Sequence, residues 1–451
     1  MNNTRDLRDS ARAIFDDALA AVDARRAVLE AVRVEGGSLR VFGERFELRG
    51  HHAKIYSVAL GKAAAAMASV LEERLGDAFA CGVLSAPPSD LKLSARWRIY
   101  AGGHPLPNAS SLEAARAAFE LLDEADASTA LVVFLVSGGG SAMLELPRDA
   151  RVTLEELREM NRVLVSCGAA IDEVNAVRRA LSSVKGGGLA LRATRATKLT
   201  LIVSDVPRGR ERDVASGPTL APDAVSPDAR EVVARYGLDS KLPRSIKRAL
   251  EESDAPRTHV DEGEPSSSRY VLLDNDSACE AATESARARG FAVEWAREVG
   301  EQPVDKGAAL LVSRLFEMYT CEESKGRGVC VVSGGEFACP VRGRGVGGRN
   351  SETALRCAFE FEKALREFNG RVTPRGVVAL CAGTDGVDGN SPAAGAIAFD
   401  TTLRRARERG IDAAKHLNES DAYTLFDALG DAIQTGPTGT NVRDLRILLA
   451  E

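Results

Sequence analysis

A chain of 451 residues is too long for a single ordinary hydrophobic core, so two domains are expected. Hydrophobic residues make up 44% and charged residues 27%, a balance that excludes an intrinsically disordered chain. The formal net charge is −6 with no block of Lys or Arg, which argues against a nucleic-acid partner.

Residues 5–32 set Leu7, Ala11, Ile14, Phe15, Ala18, Leu19, Val22 and Val28 at helical spacing among Arg and Asp. The spacing predicts one or two amphipathic helices packed on the outside of the first domain. Charges recur every few positions here, so no secretory signal is expected. Residues 36–50 predict a short hairpin or loop. Lys54–Leu60, Gly61-Lys62 and an alanine-rich run to Leu75 read as strand, turn and helix. A cation on the first turn of a helix opposes the dipole unless an anion sits there. Lys62 therefore reads either as a functional cation or as a solvated surface lysine. It is not a P-loop lysine, because Tyr56 and Ala63 stand where that motif needs Gly and Ser or Thr.

Cys81–Leu84 predicts a short strand, and Gly102–Asn108 a rigid loop ahead of a helix over 110–122. His104 in that loop reads as a structural residue rather than a ligand contact. Leu131–Val136 is a run buried on both faces, as in a parallel sheet, and it leads into Ser137-Gly138-Gly139-Gly140-Ser141. Glycines there let backbone N–H groups approach a ligand with no Cβ in the way, which suits phosphate or carboxylate. A plain strand–helix turn is the alternative.

Helices are predicted over 153–171, with Thr153 and Glu156 forming a capping box, and over 172–196, ending in Gly186–Gly188. Lys198–Ser204 is a further buried strand ending at Asp205. Its carboxylate reads as catalytic or metal-binding, or as a helix N-cap. Ala215–Thr219 is a second small-residue turn. Helices are predicted at 229–237 and 244–252, and 253–268 reads as the connection between domains.

A second α/β pattern follows, with strands at Tyr270–Leu273, Phe291–Trp295 and Gly328–Ser333 and helices at 277–289 and 304–319. Ser333-Gly334-Gly335-Glu336 repeats the strand-then-Ser-Gly-Gly arrangement. Gly343–Gly348 satisfies GxGxxG but has no long strand before it, so it reads as a loop carrying Arg342, Arg344 and Arg349. A helix from Asn350 runs to about 368. The strand from Gly376 ends in Asp385 and Asp388 among glycines, a pair suited to a divalent cation or substrate hydroxyls, or to an Asx-type turn. Helix 419–430, the loop Thr435–Val442 and a strand over 445–449 close the chain.

The eight cysteines include no CxxC pair and read as small buried hydrophobes of a reducing cytoplasm. Five scattered histidines without HExxH give no zinc site. No apolar run approaches the ~18 residues of a membrane span, so no membrane partner is expected.

In order, the motifs ending at Lys62, Asn108, Ala142, Asn175, Asp205, Thr219, Glu336, Asn350, Gly389 and Asn441 resemble those of the glycerate 2-kinases with a C-terminal MOFRL-type domain. The resemblance spans roughly residues 10–448. It implies two α/β domains: a Rossmann- or flavodoxin-like parallel sheet over 1–252 and a MOFRL-type domain over 269–451, with the active site in a cleft between them. It implies ATP and Mg²⁺ as cofactors and D-glycerate, phosphorylated on its 2-hydroxyl, as acceptor, with a homodimer compatible. Lys62, Asp205 and Arg349 are the implied catalytic residues and Ser137–Ser141 the nucleotide site. Asn175, Lys185, Ser333, Gly334, Asp385 and Asp388 are assigned to substrate, and Asp205 and Asp385 to metal. Pro207-Arg208-Gly209, Gly188 and Ser351 depart from the family pattern. Rival readings are a hydroxypyruvate reductase using NAD(P)H, a kinase of another small hydroxy acid, and a non-catalytic nucleotide or sugar-phosphate sensor.

Overall fold

The computed structural model describes residues 2–220, 226–253, 267–321, 326–367 and 373–451. They form two compact α/β units. One is Ala24–Leu273; the other joins Asp274–Glu451 to the chain up to Asp23.

In the first unit, β1 (Val32–Glu35), β2 (Ser38–Val41) and β3 (Glu44–Glu47) form a small antiparallel sheet. The main sheet is built from β4 (Ile55–Leu60), β5 (Phe79–Ala86), β6 (Trp97–Ala101), β7 (Leu131–Ser137), β8 (Thr197–Val203) and β9 (Ser267–Leu273). Its order is β6-β5-β4-β7-β8-β9 and every neighbour is parallel. Counted by appearance this is 3-2-1-4-5-6, the Rossmann order rather than the flavodoxin one. β4 and β7 are buried along their whole length, as strands covered on both faces must be. Helix Ala109–Ala127, capped by Asn108, lays Ala114, Ala118, Leu121 and Leu122 on Val58, Leu60, Val132 and Phe134. Truncating Phe134 to Ala there would cost about 3–5 kcal/mol.

The helix expected over 172–196 is broken. It runs Ile171–Leu181 and resumes only at Gly188–Arg192. Ser182 is drawn into an extended bridge with Pro147, and Gly186 and Gly187 take positive φ.

The second unit contains β10 (Ala292–Trp295), β11 (Val329–Ser333), β12 (Val377–Gly383), β13 (Gly395–Phe399), β14 (Ala432–Ile433) and β15 (Asp444–Ala450). They lie in the order β10-β11-β15-β12-β13-β14; only β10 and β11 are parallel, so the sheet is mixed.

Two segments belong to the other unit from the one expected. Helix Asn2–Ala21 places Leu7, Ala11, Ile14, Phe15 and Ala18 on Val378, Leu380, Leu445 and Ile447 of the second unit. Ser267–Leu273 pairs in parallel with β8, with Tyr270 opposite Leu201, so it completes the first sheet. That pairing occupies backbone groups on β8 that an edge strand would leave open. The expected connection over 253–268 lies mostly outside the described residues. All eight cysteines are free thiols, but Cys321 is exposed rather than buried.

Candidate functional site

The strand order of the first sheet reverses between β4 and β7. Loops leaving these two strands diverge to opposite faces and open a crevice at their carboxyl ends, where α/β sheets bind ligands. The two loops are Gly61-Lys62 and Ser137–Ser141. Leu60 and Val136 are register partners, and the loops are stitched together beyond them. Lys62 N–H donates to the Gly138 carbonyl at 2.9 Å and Ala63 N–H to Ser137 Oγ at 3.1 Å, while Ser137 Oγ donates to the Leu60 carbonyl at 3.2 Å. The Ser137 hydroxyl is thus fully buried and used internally, which corrects its expected role as a phosphate donor. Gly138 is buried with it.

The accessible part of the turn is Gly139 and Ser141. Gly139 has φ +81°, and a Cβ on it would come within 3.1 Å of the His104 ring and 3.3 Å of Lys62 Cγ. His104 is exposed, and it and Lys62 therefore flank the cradle. The structure brings His104 to the candidate site, although its sequence context pointed to a structural role. The carboxyl end of β8 lies beside the same turn, since Val203 pairs with Ser137. Asp205, half-buried, follows two residues later.

A second layer supports this edge. Ser141 Oγ lies 2.9 Å from Ser216 Oγ, which donates to Asn175 Oδ1 at 3.1 Å. Ala215, Ser216 and Gly217 all have positive φ, at 51°, 61° and 68°. Such strain in two non-glycine residues persists only where surroundings impose it. Here Gly186 and Gly187 N–H groups bind the carbonyls of Ser216 and Gly217 at 3.1 and 2.7 Å. Asn175 is buried and acts on this turn, so it is a support rather than a substrate contact. Lys185 is buried too, ion-paired to Glu145, which also accepts from Ser182 Oγ at 2.5 Å. Burial pulls the Lys185 amine down and Glu145 opposes it. Lys185 holds the protein together and offers nothing to a diffusing ligand.

In the second unit Arg349 opens helix Arg349–Glu367. Its Nε donates to Asp444 Oδ2 at 2.6 Å, and its Nη2 lies 2.8 Å from Glu336 Oε1. Burial pulls the guanidinium's pKa down, but Asp444 and Glu336 outweigh it and raise it. Asp444 also accepts from Asn350 Nδ2 at 2.9 Å and lies 3.7 Å from Arg446. Arg446 is fully buried against the Phe337 ring and donates to Ser333 Oγ and to the carbonyls of Gly334 and Gly335. The second Ser-Gly-Gly turn therefore directs carbonyls at an internal cation. Ser333 and Gly334 are not substrate contacts in this arrangement, a correction whose cause is Arg446.

Asp388 is corrected as well. It is buried, with Oδ1 accepting from Asn350 N–H at 2.8 Å and Oδ2 from Ser351 N–H at 2.9 Å and Ser351 Oγ at 2.6 Å. It caps the helix that carries Arg349. Burial pushes its carboxyl up, against these hydrogen bonds. Asp385 is half-buried, and its Oδ1 accepts from Val387 N–H at 3.0 Å, an Asx-type turn. The GxGxxG stretch is no dinucleotide turn. Val346 N–H donates to Asp421 Oδ1 at 2.8 Å, and Cβ atoms on Gly343 or Gly345 would strike Glu419 and Asp421. Arg342 is tied to Glu352 at 2.9 Å.

Sequence reasoning missed Asp444 and Arg446. The available signal was three charges, Arg443, Asp444 and Arg446, within the otherwise apolar run 442–450, since Asp and Arg are almost never fully buried unless paired. Among the described residues no group of three or more His, Cys, Asp or Glu is arranged to hold a metal ion. Cavities of about 430 Å³ beside Arg148 and Arg151, and about 230 Å³ beside Arg179 and Asp213, lie away from the strand-order reversal.

Residues 10–251 match the family described as a domain of unknown function, DUF4147, and residues 329–444 match the MOFRL family. A glycerate 2-kinase of Pyrococcus horikoshii is 33% identical over 98% of this chain and 97% of its own. A protein of Agrobacterium vitis with the provisional name hydroxypyruvate reductase is 37% identical over 87% of this chain and 98% of its own. The crystal structure of a glycerate kinase from Thermotoga maritima superposes with a TM-score of 0.80 at 31% identity, covering 99% of this chain and 100% of that one.

Proposed function

The chain belongs to the glycerate kinase family that combines the DUF4147 and MOFRL regions, and on that premise we propose that it transfers the γ-phosphoryl group of ATP to the 2-hydroxyl of D-glycerate, giving 2-phosphoglycerate and ADP. The observation that carries this reading is the reversal of strand order that sets Gly61-Lys62 beside Ser137–Ser141. Phosphoryl transfer asks the protein mainly for positioning and charge neutralisation. Gly139 leaves room for a phosphate chain where any Cβ would meet His104 and Lys62. Lys62 is assigned to neutralise charge on the group in transit.

Asp205 is assigned to orient or deprotonate the acceptor hydroxyl, or to hold Mg²⁺. That ion needs only one or two protein carboxylates when phosphate oxygens and water complete its octahedron, so a single half-buried aspartate fits. Bound Mg²⁺ would supply charge neutralisation between phosphate oxygens. Arg349 is assigned to the glycerate carboxylate, because a guanidinium grips a carboxylate through two parallel bonds. Asp385 is assigned to substrate hydroxyls or Mg²⁺. Eight free thiols support a reducing cytoplasmic location.

Incubation with ATP, Mg²⁺ and D-glycerate, followed by enolase without phosphoglycerate mutase, tests the position of transfer. Phosphoenolpyruvate is expected; ADP without it would place the phosphate elsewhere or the acceptor in doubt. The Agrobacterium vitis name favours a second reading, reduction of hydroxypyruvate. Oxidation of NADH by hydroxypyruvate at a rate rivalling the kinase reaction would establish it.

A further inference from the structure

Arg349 is held by two carboxylates in very different settings. The Asp444 side chain is 3% exposed, takes Nε and Nη2 at 2.6 and 3.4 Å, and is fixed by Asn350 as well. Withdrawing it would strand a buried charge. The Glu336 side chain is 32% exposed and meets Arg349 Nη2 at 2.8 Å. An ion pair reaching solvent is worth little, because water readily replaces the partner. With Asp444 on the Nε and Nη2 edge, the other edge, Nη1 and Nη2, is the one left for a second carboxylate in the two-bond manner. Asp444 is shared with Arg446 as well, so Glu336 is the carboxylate that answers the outer edge of Arg349, and its charge there repels a further anion.

We propose that Glu336 is an internal counter-ion that the acceptor's carboxylate displaces from Arg349, so that Glu336 sets how tightly this unit takes small carboxylic acids. The proposal rests on the kinase reading and its assignment of the acid to Arg349. Asp444 keeps the guanidinium plane fixed throughout, and Glu336 acts on affinity through Arg349 as a positioning residue.

The test is Glu336→Gln, which keeps shape and removes charge. Binding of D-glycerate is measured by calorimetry and its KM in the coupled assay, with neutral D-glyceramide as control ligand. Dissociation constant and KM for glycerate are expected to fall together by about three- to tenfold, with glyceramide binding unmoved. Unchanged or weaker glycerate binding, while Arg349→Ala weakens it, would overturn the proposal and leave the kinase reading standing. Equal shifts for glycerate and glyceramide would overturn it too, because the effect would then be one of shape. Should Arg349→Ala bind glycerate as well as the unaltered protein, the assignment of the acid to Arg349 falls and takes this inference with it.

Discussion

The carbonyl oxygen of Ser137 lies 2.3 Å from where a Cβ on Gly61 would have to stand, and Gly61 has φ +111°. No side chain fits there without separating β4 from β7 at the strand-order reversal. Gly61→Ala should therefore lower stability by roughly 1–3 kcal/mol from backbone strain alone, and the clash adds to it. The fall should appear in the thermal midpoint, together with loss of kinase turnover. A stable, fully active Gly61→Ala protein would show that the two loops need not touch.

Lys62→Met keeps the length of the side chain and removes its charge. Loss of a group that stabilises transferring charge typically costs about 100–1000-fold in kcat. The same drop is expected here, with the circular dichroism spectrum and melting temperature unchanged. Turnover within threefold of the unaltered enzyme would remove Lys62 from the chemistry.

Arg349→Lys retains a cation but loses the planar fork. KM for D-glycerate should rise by about tenfold while kcat changes less, because an ammonium cannot make two parallel bonds to one carboxylate. Steady-state kinetics at saturating ATP separates the two parameters.

Asp388→Ala should act on folding, since its carboxylate receives three hydrogen bonds from Asn350 and Ser351 at a helix start. An N-cap is worth ~1–2 kcal/mol, and a lower denaturant midpoint of that size is expected. A raised KM with unaltered stability would return Asp388 to the ligand site.

Acid sensitivity has a source outside the site. Burial pushes the Glu72 carboxyl up, but hydrogen bonds from Ser94 and the Arg96 pair outweigh it and hold it below its ordinary 4.5. The Trp97 indole N–H also donates to it at 3.1 Å. A folded value below the unfolded one gives stability that is present above pH 4.5 and lost as pH falls through the folded value. Melting curves between pH 7 and pH 3 should drop, and Glu72→Gln should start lower and fall less steeply.

Much of the candidate site was legible because a strand buried on both faces followed by glycines is a local pattern. Leu131–Ser141 and Ile55–Lys62 carry it in full. The strand order that makes neighbours of these loops is a long-range property, and so is the union of Ser267–Leu273 with β8. Local sequence also cannot separate a carboxylate that meets a ligand from one that serves the chain. Asp385 and Asp388 stand three residues apart in one glycine-rich loop, yet only Asp388 is sealed beneath a helix end. Likewise the two Ser-Gly-Gly turns look alike in letters, while Arg446 arrives from β15 to fill the second.

The docking of helix Asn2–Ala21 on β12 and β15 has a consequence for birth on the ribosome. Its apolar stripe packs on Cys279, Ala282 and Ala286 of helix Asn275–Ala288 as well as on Leu445 and Ile447, and all of these are translated after it. While residues 24–273 are being made the helix has none of these partners; helix Asn275–Ala288 then covers part of its apolar side, and β12 and β15 the rest. Nascent chains halted before residue 275 should therefore be bound by a chaperone at residues 7–18, and release should be complete only once β15 has been made.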